Sequence, residues 1–388
     1  MSPEVVRLGI AGLGRSGREL LSAARTNPNI QLAAVAEPGK DLAGVASRLS
    51  GCEVFGDLDS MLRTAPIDLV YIATPTHLHT DHVLAAVDRG KHVIVEKPMA
   101  ISLPDAKMMI EAAERADRVL VVGHSQSFEP PIRAMAETIG AGEIGRLRML
   151  HTMAYTDWVY RPRLAPELDT REGGGVVFRQ AAHQVDILRW LGGGMGKSVR
   201  AETGIWDRNR PTEGSYSAFL TFEGDVVATA IYNGYGRFST SELTFGRGED
   251  GAPSAPEPGA AFRRLREAVP AEDLLSKAPY SVEDRARNRP RNGFFGLTLV
   301  SGERGDIRQT RKGLRVYGDE GPRDIPAPAK PNGRDLLLRE ANTAIVDGDS
   351  PAHDGRWGLA NLEVCLAILE SARRHEEVSL RFQVPTRR

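Results

Sequence analysis

The chain is poor in cysteine, with only Cys52 and Cys365 among 388 residues. They lie far apart and match no zinc or redox spacing, which excludes a disulfide scaffold. Both are expected to be reduced core thiols in a reducing compartment. No apolar run is long enough to span a bilayer. The N-terminus enters an apolar strand almost at once, without a secretory pattern, so a cytoplasmic location is expected. Charge of either sign is not in excess: 50 Lys and Arg face 51 Asp and Glu, a formal net charge of −1. That balance offers no general attraction to nucleic acid or to a membrane, and neither is expected as a partner. His77, His79 and His82 lie close in sequence, but no acidic ligand set accompanies them and no metal is expected.

What remains is an ordinary soluble composition, 41% hydrophobic and 26% charged, in a chain too long for one core. Two domains are expected. The first third alternates strand and helix signals. Strands are read at 5–14, 30–37, 52–55, 67–74, 91–98 and 119–125. Helices are read at 16–28 (stopped by Pro28), 41–51, 57–66 (with Asp57 as cap), 79–90 and 102–117. Strict β/α alternation means a parallel, doubly wound sheet, here assigned to residues 1–124.

Beyond that point the pattern changes. Residues 145–158 and 197–247 alternate as strands with Gly turns, as in "SAFLTFEGDVVATAIYNGY". A large, open, mostly antiparallel sheet follows, in a second α/β domain over 125–388. Residues 246–293 are rich in Pro, Gly and charge and read as an insertion with a solvated basic end, "RARNRPR". Strands resume over 295–310. A helix at 333–348 and a closing helix at 355–375 complete the domain.

Three stretches carry chemistry. "GLGRSG" sets Gly12, Gly14 and Gly17 in the G-x-G-x-x-G arrangement, after a strand and at the opening of a helix. Gly12 permits the tight turn, Gly14 lets the backbone approach a pyrophosphate, and Gly17 lets helix and strand close together. Arg15 and Ser16 complete the turn, whose helix N-terminus faces the phosphates. Glu37 ends the second strand, 20 residues after Gly17, where a carboxylate binds the adenosine ribose. NAD is therefore favoured, while Arg15 and Lys40 leave NADP open.

"VIVEKPMA" (93–100) sets Glu96 and Lys97 at the carboxyl end of a parallel strand, where ligands bind in such sheets. Lysine can donate to a substrate hydroxyl, or act as a base where nearby positive charge lowers its pKa. A surface lysine capping the strand fits the pattern as well. "ATPTHLHTDH" (73–82) occupies the same edge one strand earlier. Last, "GGGVVFRQAAHQVDILRWLGG" (173–193) sets Arg179 four residues before His183, on one helical face. Arginine stays protonated and cannot be the base.

In order and spacing, "GLGRSG", "ATPTHLH", "VEKPMA" and "GGG…H…D" resemble the Gfo/Idh/MocA family, the glucose–fructose oxidoreductase and inositol dehydrogenase group. The resemblance implies a Rossmann domain and an α/β domain whose open sheet often forms a homodimer or homotetramer interface. It implies oxidation or reduction of a carbinol with a nicotinamide cofactor. By position, it makes Lys97 the lysine at the reacting hydroxyl and His183 the proton-transfer histidine. Thr74, Pro75 and His79 would line the nicotinamide side.

The sequence departs from that pattern at Arg179, where many sugar-oxidising members carry Asp. A carboxylate suits a polyol; arginine suits a carboxylate, which it can grip bidentately. An internal pair with Asp186 or Asp157 is the competing explanation. "GHSQSFEPPIR", "YTDWVYRPR" and "YNGYGRFS" resemble a narrower subgroup, the phthalate 4,5-cis-dihydrodiol dehydrogenases. That likeness implies a small anionic ring diol as substrate. His124, Arg161 and Arg163 would join Arg179 around it, and Tyr155 and Trp158 would stack on the ring. A sugar, sugar-acid or inositol dehydrogenase, a glycoside-cleaving enzyme that retains its cofactor, and a dinucleotide-binding sensor are the rival expectations.

Overall fold

Strands β1 (Val6–Ala11), β2 (Ile30–Ala36), β3 (Glu53–Phe55), β4 (Leu69–Ile72), β5 (His92–Val95) and β6 (Leu120–Val122) pair in the order β3-β2-β1-β4-β5-β6. Every pairing is parallel. Parallel strands covered on both faces read as unbroken apolar runs, and "LVYI" of β4 is wholly buried. The chain leaves β1 toward β2 and β3, then returns to β4 on the other side. The loop after β1 therefore lies at the topological switch point, where open α/β sheets bind ligands. The coordinates are a computed structural model that describes residues 5–39, 49, 51–248, 258–266, 293–327 and 331–387.

Helices follow the local signals closely. Asp57 caps Leu58–Thr64 by accepting the Ser60 N–H at 2.7 Å, and Ser102 caps Leu103–Arg115 by accepting that of Asp105 at 3.2 Å. The first helix, Arg15–Ala24, stops earlier than Pro28 requires. A short turn ends it: Thr26 N–H donates to Ala23 O, and Asn27 Oδ1 accepts the N–H of Asn29. The expected helix at 41–51 lies, but for Leu49 and Gly51, outside the described residues.

The chain divides into two compact units, one of residues 1–125, 333–362 and 387–388, the other of 126–332 and 363–386. The uninterrupted second domain expected from the sequence is thus corrected. Helix Gly333–Val346 and the first eight residues of Gly355–Arg374 belong with the parallel sheet. The reason is close packing on β6. Val122 N–H donates to His353 O at 2.8 Å, and a Cβ on Gly358 would stand 2.4 Å from Val122 Cγ2.

The second unit is built on β7 (Leu147–Tyr155), β8 (Gly196–Gly204), β9 (Ser215–Phe222), β10 (Val227–Asn233), β11 (Leu297–Gly302), β12 (Gly305–Thr310), β13 (Gly313–Gly318), β14 (Gly321–Pro326) and β15 (Val378–Ser379). Their order is β14-β13-β12-β11-β7-β10-β9-β8-β15, antiparallel except at β7–β10. Burial alternates along β7 and β10, so one face is covered and the other open, with Met149 and Phe219 on the open side. Helix Ala182–Leu191 packs against β7 and β10 on the covered face.

The hairpin β13–β14 escapes pattern reading because β14 is almost wholly exposed. A cross-strand pair of Arg315 and Asp324 at 2.6 Å marks its register instead. The strand signal read through 247 ends at Asn233, where Gly234 and Gly236 lie too close to neighbouring backbone to admit side chains. Helix Pro130–Gly140 opens on two prolines, which hid it from a reading by apolar period. Within 246–293, the described residues include one helix, Ala260–Arg266.

Candidate active site

In the first unit the glycine turn takes the form a dinucleotide needs. Gly12 has φ +91°, and a Cβ there would stand 2.7 Å from Ala73 O. At Gly17 a Cβ would stand 1.9 Å from Gly12 O, so only glycine lets the helix close on β1. At Gly14, the N-cap, nothing lies within 4 Å of that position. Two glycines therefore serve internal closeness, and the third keeps space open at the helix N-terminus. Glu37 turns its carboxylate onto the turn, where Oε2 accepts the Leu13 N–H at 2.5 Å. Arg15, beside Ser16, pairs with Glu19 at 3.1 Å. Open space at Gly14, the N-cap of the helix, and a carboxylate at the end of β2 fit NAD.

The neighbouring strand ends are locked to one another. His79 is 1% exposed, and its ring nitrogens face Pro98 O at 3.0 Å and Thr74 O at 2.9 Å. It bolts the loop of Thr74 and Pro75 to the loop of Lys97. Thr74 Oγ1 also meets His82 Nδ1 at 2.9 Å, and burial lowers the pKa of His82. Lys97 is half-buried after β5, and its backbone N–H donates to Glu96 Oε2 at 3.1 Å. Glu96 is buried, and its other oxygen accepts from the Tyr71 hydroxyl and from Arg334 Nη1 at 2.5 Å. Burial opposes the charge on Glu96, but Arg334 foremost and then Lys97 hold the carboxyl below its usual range. His124 is 2% exposed; its Nε2 meets Asn361 Nδ2 at 3.1 Å.

In the second unit the glycine triplet is again a matter of clearance. A Cβ at Gly174 would stand 2.5 Å from Pro166 O, and one at Gly175 would stand 2.0 Å from Glu213 Oε1. Glu213 is buried and stitches this segment together. Oε1 accepts the Val177 N–H at 3.1 Å, and Oε2 accepts the hydroxyls of Thr170 and of Thr212. Burial raises the Glu213 pKa against the pull of these bonds. The segment it steadies, Val177–Ala181, is a π-helix and not the first turn of the expected α-helix. Such wide turns concentrate at functional sites.

Arg179 lies on that turn, one-third exposed. Its Nη2 donates to Glu167 Oε1 at 3.2 Å, and Arg163 Nη1 donates to the same oxygen at 3.2 Å. Of the acids expected as its partners, Asp157 holds Arg161 at 2.6 Å, and buried Asp186 accepts the Ser127 N–H at 3.2 Å. Burial, with Arg161 and Arg179 nearby, pulls the Arg163 pKa down to about 10, still a cation near neutrality. Arg163 also lies 4.0 Å above the Trp158 ring, which is 2% exposed. Trp158 therefore supports Arg163, which corrects the expected stacking on a substrate ring. Tyr155 stacks on Phe238 at 5.0 Å. His183 is half-buried, and every other residue of Ala182–Leu191 is buried. Its ring lies 4.6 Å from Phe295.

The model of the oxidoreductase family with the NAD-binding Rossmann fold matches residues 6–124, and that of the GFO/IDH/MocA C-terminal domain matches 132–245. The chain belongs to the Gfo/Idh/MocA family. It is an NAD(P)-dependent oxidoreductase. A curated relative, the 1-carboxy-3-chloro-3,4-dihydroxycyclohexa-1,5-diene dehydrogenase of Comamonas testosteroni, is 34% identical over 95% of both chains. The NAD-dependent scyllo-inositol 2-dehydrogenase of Bacillus subtilis is 32% identical over 58% of this chain and 63% of its own. A solved dehydrogenase-type structure from Bordetella bronchiseptica RB50 is 38% identical, with a TM-score of 0.91 over 97% of this chain and all of that one.

Among the described residues, no helix is long and apolar enough to cross a membrane. Reading the sequence missed Glu167, Glu213, Tyr71 and Arg334. Glu167 had a signal, four residues after Arg163. The other three make their contacts across long stretches of chain, which no local pattern reports.

Proposed function

We propose that the enzyme oxidises a carboxylated ring cis-dihydrodiol to the corresponding catechol, with phthalate 4,5-cis-dihydrodiol as the first candidate. The observation that carries this reading is Arg179. It stands on the π turn four residues before His183, steadied by a carboxylate that also holds Arg163. A polyol site needs acceptors, and a guanidinium offers only donors. A carboxylate matches it. The Comamonas relative, by its name, acts on a carboxylated dihydroxycyclohexadiene, which supports the same substrate class.

Gly12, Gly14, Arg15, Ser16, Gly17 and Glu37 would hold the dinucleotide, with Thr74, Pro75, His79 and Glu96 around its nicotinamide end. When bound, NAD supplies the hydride acceptor. Arg179 binds and orients the substrate carboxylate. His183 or Lys97 takes the hydroxyl proton, and the carbinol carbon gives up its hydrogen with the electron pair. The hydroxyketone so formed tautomerises to the catechol, and aromatisation draws the reaction toward NADH. His183 suits the proton transfer because its side chain is the one on its helix left partly open. The open sheet face, with Met149, Met153, Phe219 and Ile231 in adjacent strands, would be covered by a second copy of the chain.

The test is NADH formation from phthalate 4,5-cis-dihydrodiol, from uncharged benzene cis-dihydrodiol, and from inositol and uronates. Turnover of the carboxylated diol alone supports the proposal. Turnover only of polyols or uronates discards the ring substrate.

A further inference from the structure

Glu213 lies between two segments of the arginine cluster and is itself fixed to the sheet. It is 4% exposed and stands two residues before β9. The next residue, Gly214, donates its N–H to Gly204 O at the end of β8, at 3.0 Å, and accepts the N–H of Gly234, just after β10, at 2.7 Å. A Cβ at Gly214 would stand 2.4 Å from Tyr235 Cζ, so the backbone is closely packed there. From this base Glu213 reaches both segments. Its backbone O accepts the Val176 N–H at 3.1 Å and its Oε1 the Val177 N–H at 3.1 Å, where the π turn of Arg179 opens. Its Oε2 accepts the hydroxyl of Thr170, three residues after Glu167. Thr212 Oγ1 supports that contact, 3.2 Å from Oε2 and 3.0 Å from Thr170 Oγ1. Gly175, at φ +78°, leaves the carboxylate room that a Cβ would take.

We propose that Glu213 is a positioning residue that sets Arg179 against Glu167: its carboxylate ties the loop that brings Glu167 to the turn that brings Arg179, and its backbone ties both to the sheet. Glu167 and Arg179 are 12 residues apart and meet at 3.2 Å. Glu167 belongs to the short turn Ala165–Leu168 and Arg179 to the π turn, and neither is a strand or a long helix that would fix the other by regular pairing. Binding groups on such segments are placed only as well as the scaffold beneath them holds. Burial opposes the charge on Glu213 foremost, and the bonds from Thr170, Val177 and Thr212 act against it. An apolar side chain would fill the same space without that penalty. It would accept no N–H and no hydroxyl, so it would not set the direction of either segment.

The inference takes its functional meaning from Arg179 as the substrate grip of the proposed reaction, but its first test needs neither substrate nor NAD. Phenylglyoxal labelling of the full-length protein at mildly alkaline pH, read by peptide mass spectrometry, gives the modification rate of each arginine. In E213A the Arg179 rate is expected to rise about two- to fivefold, the worth of a partly exposed ion pair. Arg315, paired with Asp324 toward the opposite edge of the same sheet, should keep its rate. E213Q should stay close to the unaltered protein, because its amide oxygen still meets the Val177 N–H. T170V should show a smaller rise than E213A. With the carboxylated diol, E213A should raise KM about tenfold and lower kcat less, a split that E213Q restores. An unchanged Arg179 rate in folded E213A, or a rise shared by Arg315, overturns the proposal. Should E213A fail to fold, an unchanged rate in T170V overturns it. Failure of the diol reading would show in the NADH assay of the unaltered protein and leave the labelling result standing.

Discussion

The glycine turn after β1 and the arginine cluster around Glu167 are both suited to an anion, by opposite means. The turn presents backbone N–H groups at a helix end, and what it requires from the sequence is the absence of side chains. The cluster presents guanidinium groups, and each must be held by something else. Glu167 takes Arg163 and Arg179, Asp157 takes Arg161, and Trp158 lies under Arg163. A backbone site is compact and general, because every dinucleotide has the same pyrophosphate. A side-chain site is spread out and specific, because the charge pattern of the substrate is what it distinguishes. The difference teaches where identity would reside: the glycine half carries the family's motif, and on the proposed reading the arginine half selects the substrate.

The comparison breaks most severely if the second unit carries no chemistry. His183→Ala should lower kcat by about 10²–10⁴-fold. NAD affinity, followed by quenching of tryptophan fluorescence, should not change. Full turnover by this variant would assign proton transfer to Lys97 alone. Next in size is a contrast within the turn itself. A Cβ added at Gly14 meets nothing within 4 Å, so in Gly14→Ala thermal stability should hold while NAD affinity falls more than about tenfold. Gly17→Ala drives a Cβ to 1.9 Å from Gly12 O and should cost about 1–3 kcal/mol of stability. Equal effects of the two variants on stability would show that the open space at Gly14 is not a ligand's.

Arg179→Gln should reduce kcat/KM for a carboxylated diol about 10–100-fold, the worth of a hydrogen bond to a charged group. Any residual turnover of the uncharged benzene diol should be the same in both proteins. If the two substrates lose activity in parallel, Arg179 supports the π turn and does not grip the substrate.

The cofactor half was legible because its determinants are local. Gly12, Gly14, Gly17 and Glu37 fall within one βαβ unit, and the parallel sheet followed from β/α alternation. Helix caps at Asp57 and Ser102 were local in the same sense. In the second unit the candidate site was legible only as single residues. Arg179 and His183 were picked out by spacing, but Glu213 reaches Thr170 and Val177 across more than 30 residues and the π turn has no periodic signature of its own. Trp158 was read as a ring platform because sequence gives an aromatic's presence and not what covers it. The return of residues 333–362 to the first unit was hidden for a similar reason. A helix's apolar face is written in the sequence, and the sheet it covers is not.

The smallest expected effect falls on Glu167, and its sign sharpens the comparison. Glu167 is 18% exposed at the side chain, Arg163 15% and Arg179 34%, so the cluster is only partly shielded from water. An ion pair in that setting is worth little on its own, about 0–1 kcal/mol. Glu167→Gln keeps an oxygen to steady both guanidinium groups and removes the negative charge that offsets them. The KM for a carboxylated diol should therefore fall, by less than about fivefold, and should rise more steeply with salt than before. A KM that rises instead means that the full charge of Glu167 is needed to aim Arg179. In that event the cluster resembles the glycine turn more than their chemistry suggests: geometry, and not net charge, would be what it supplies to the substrate.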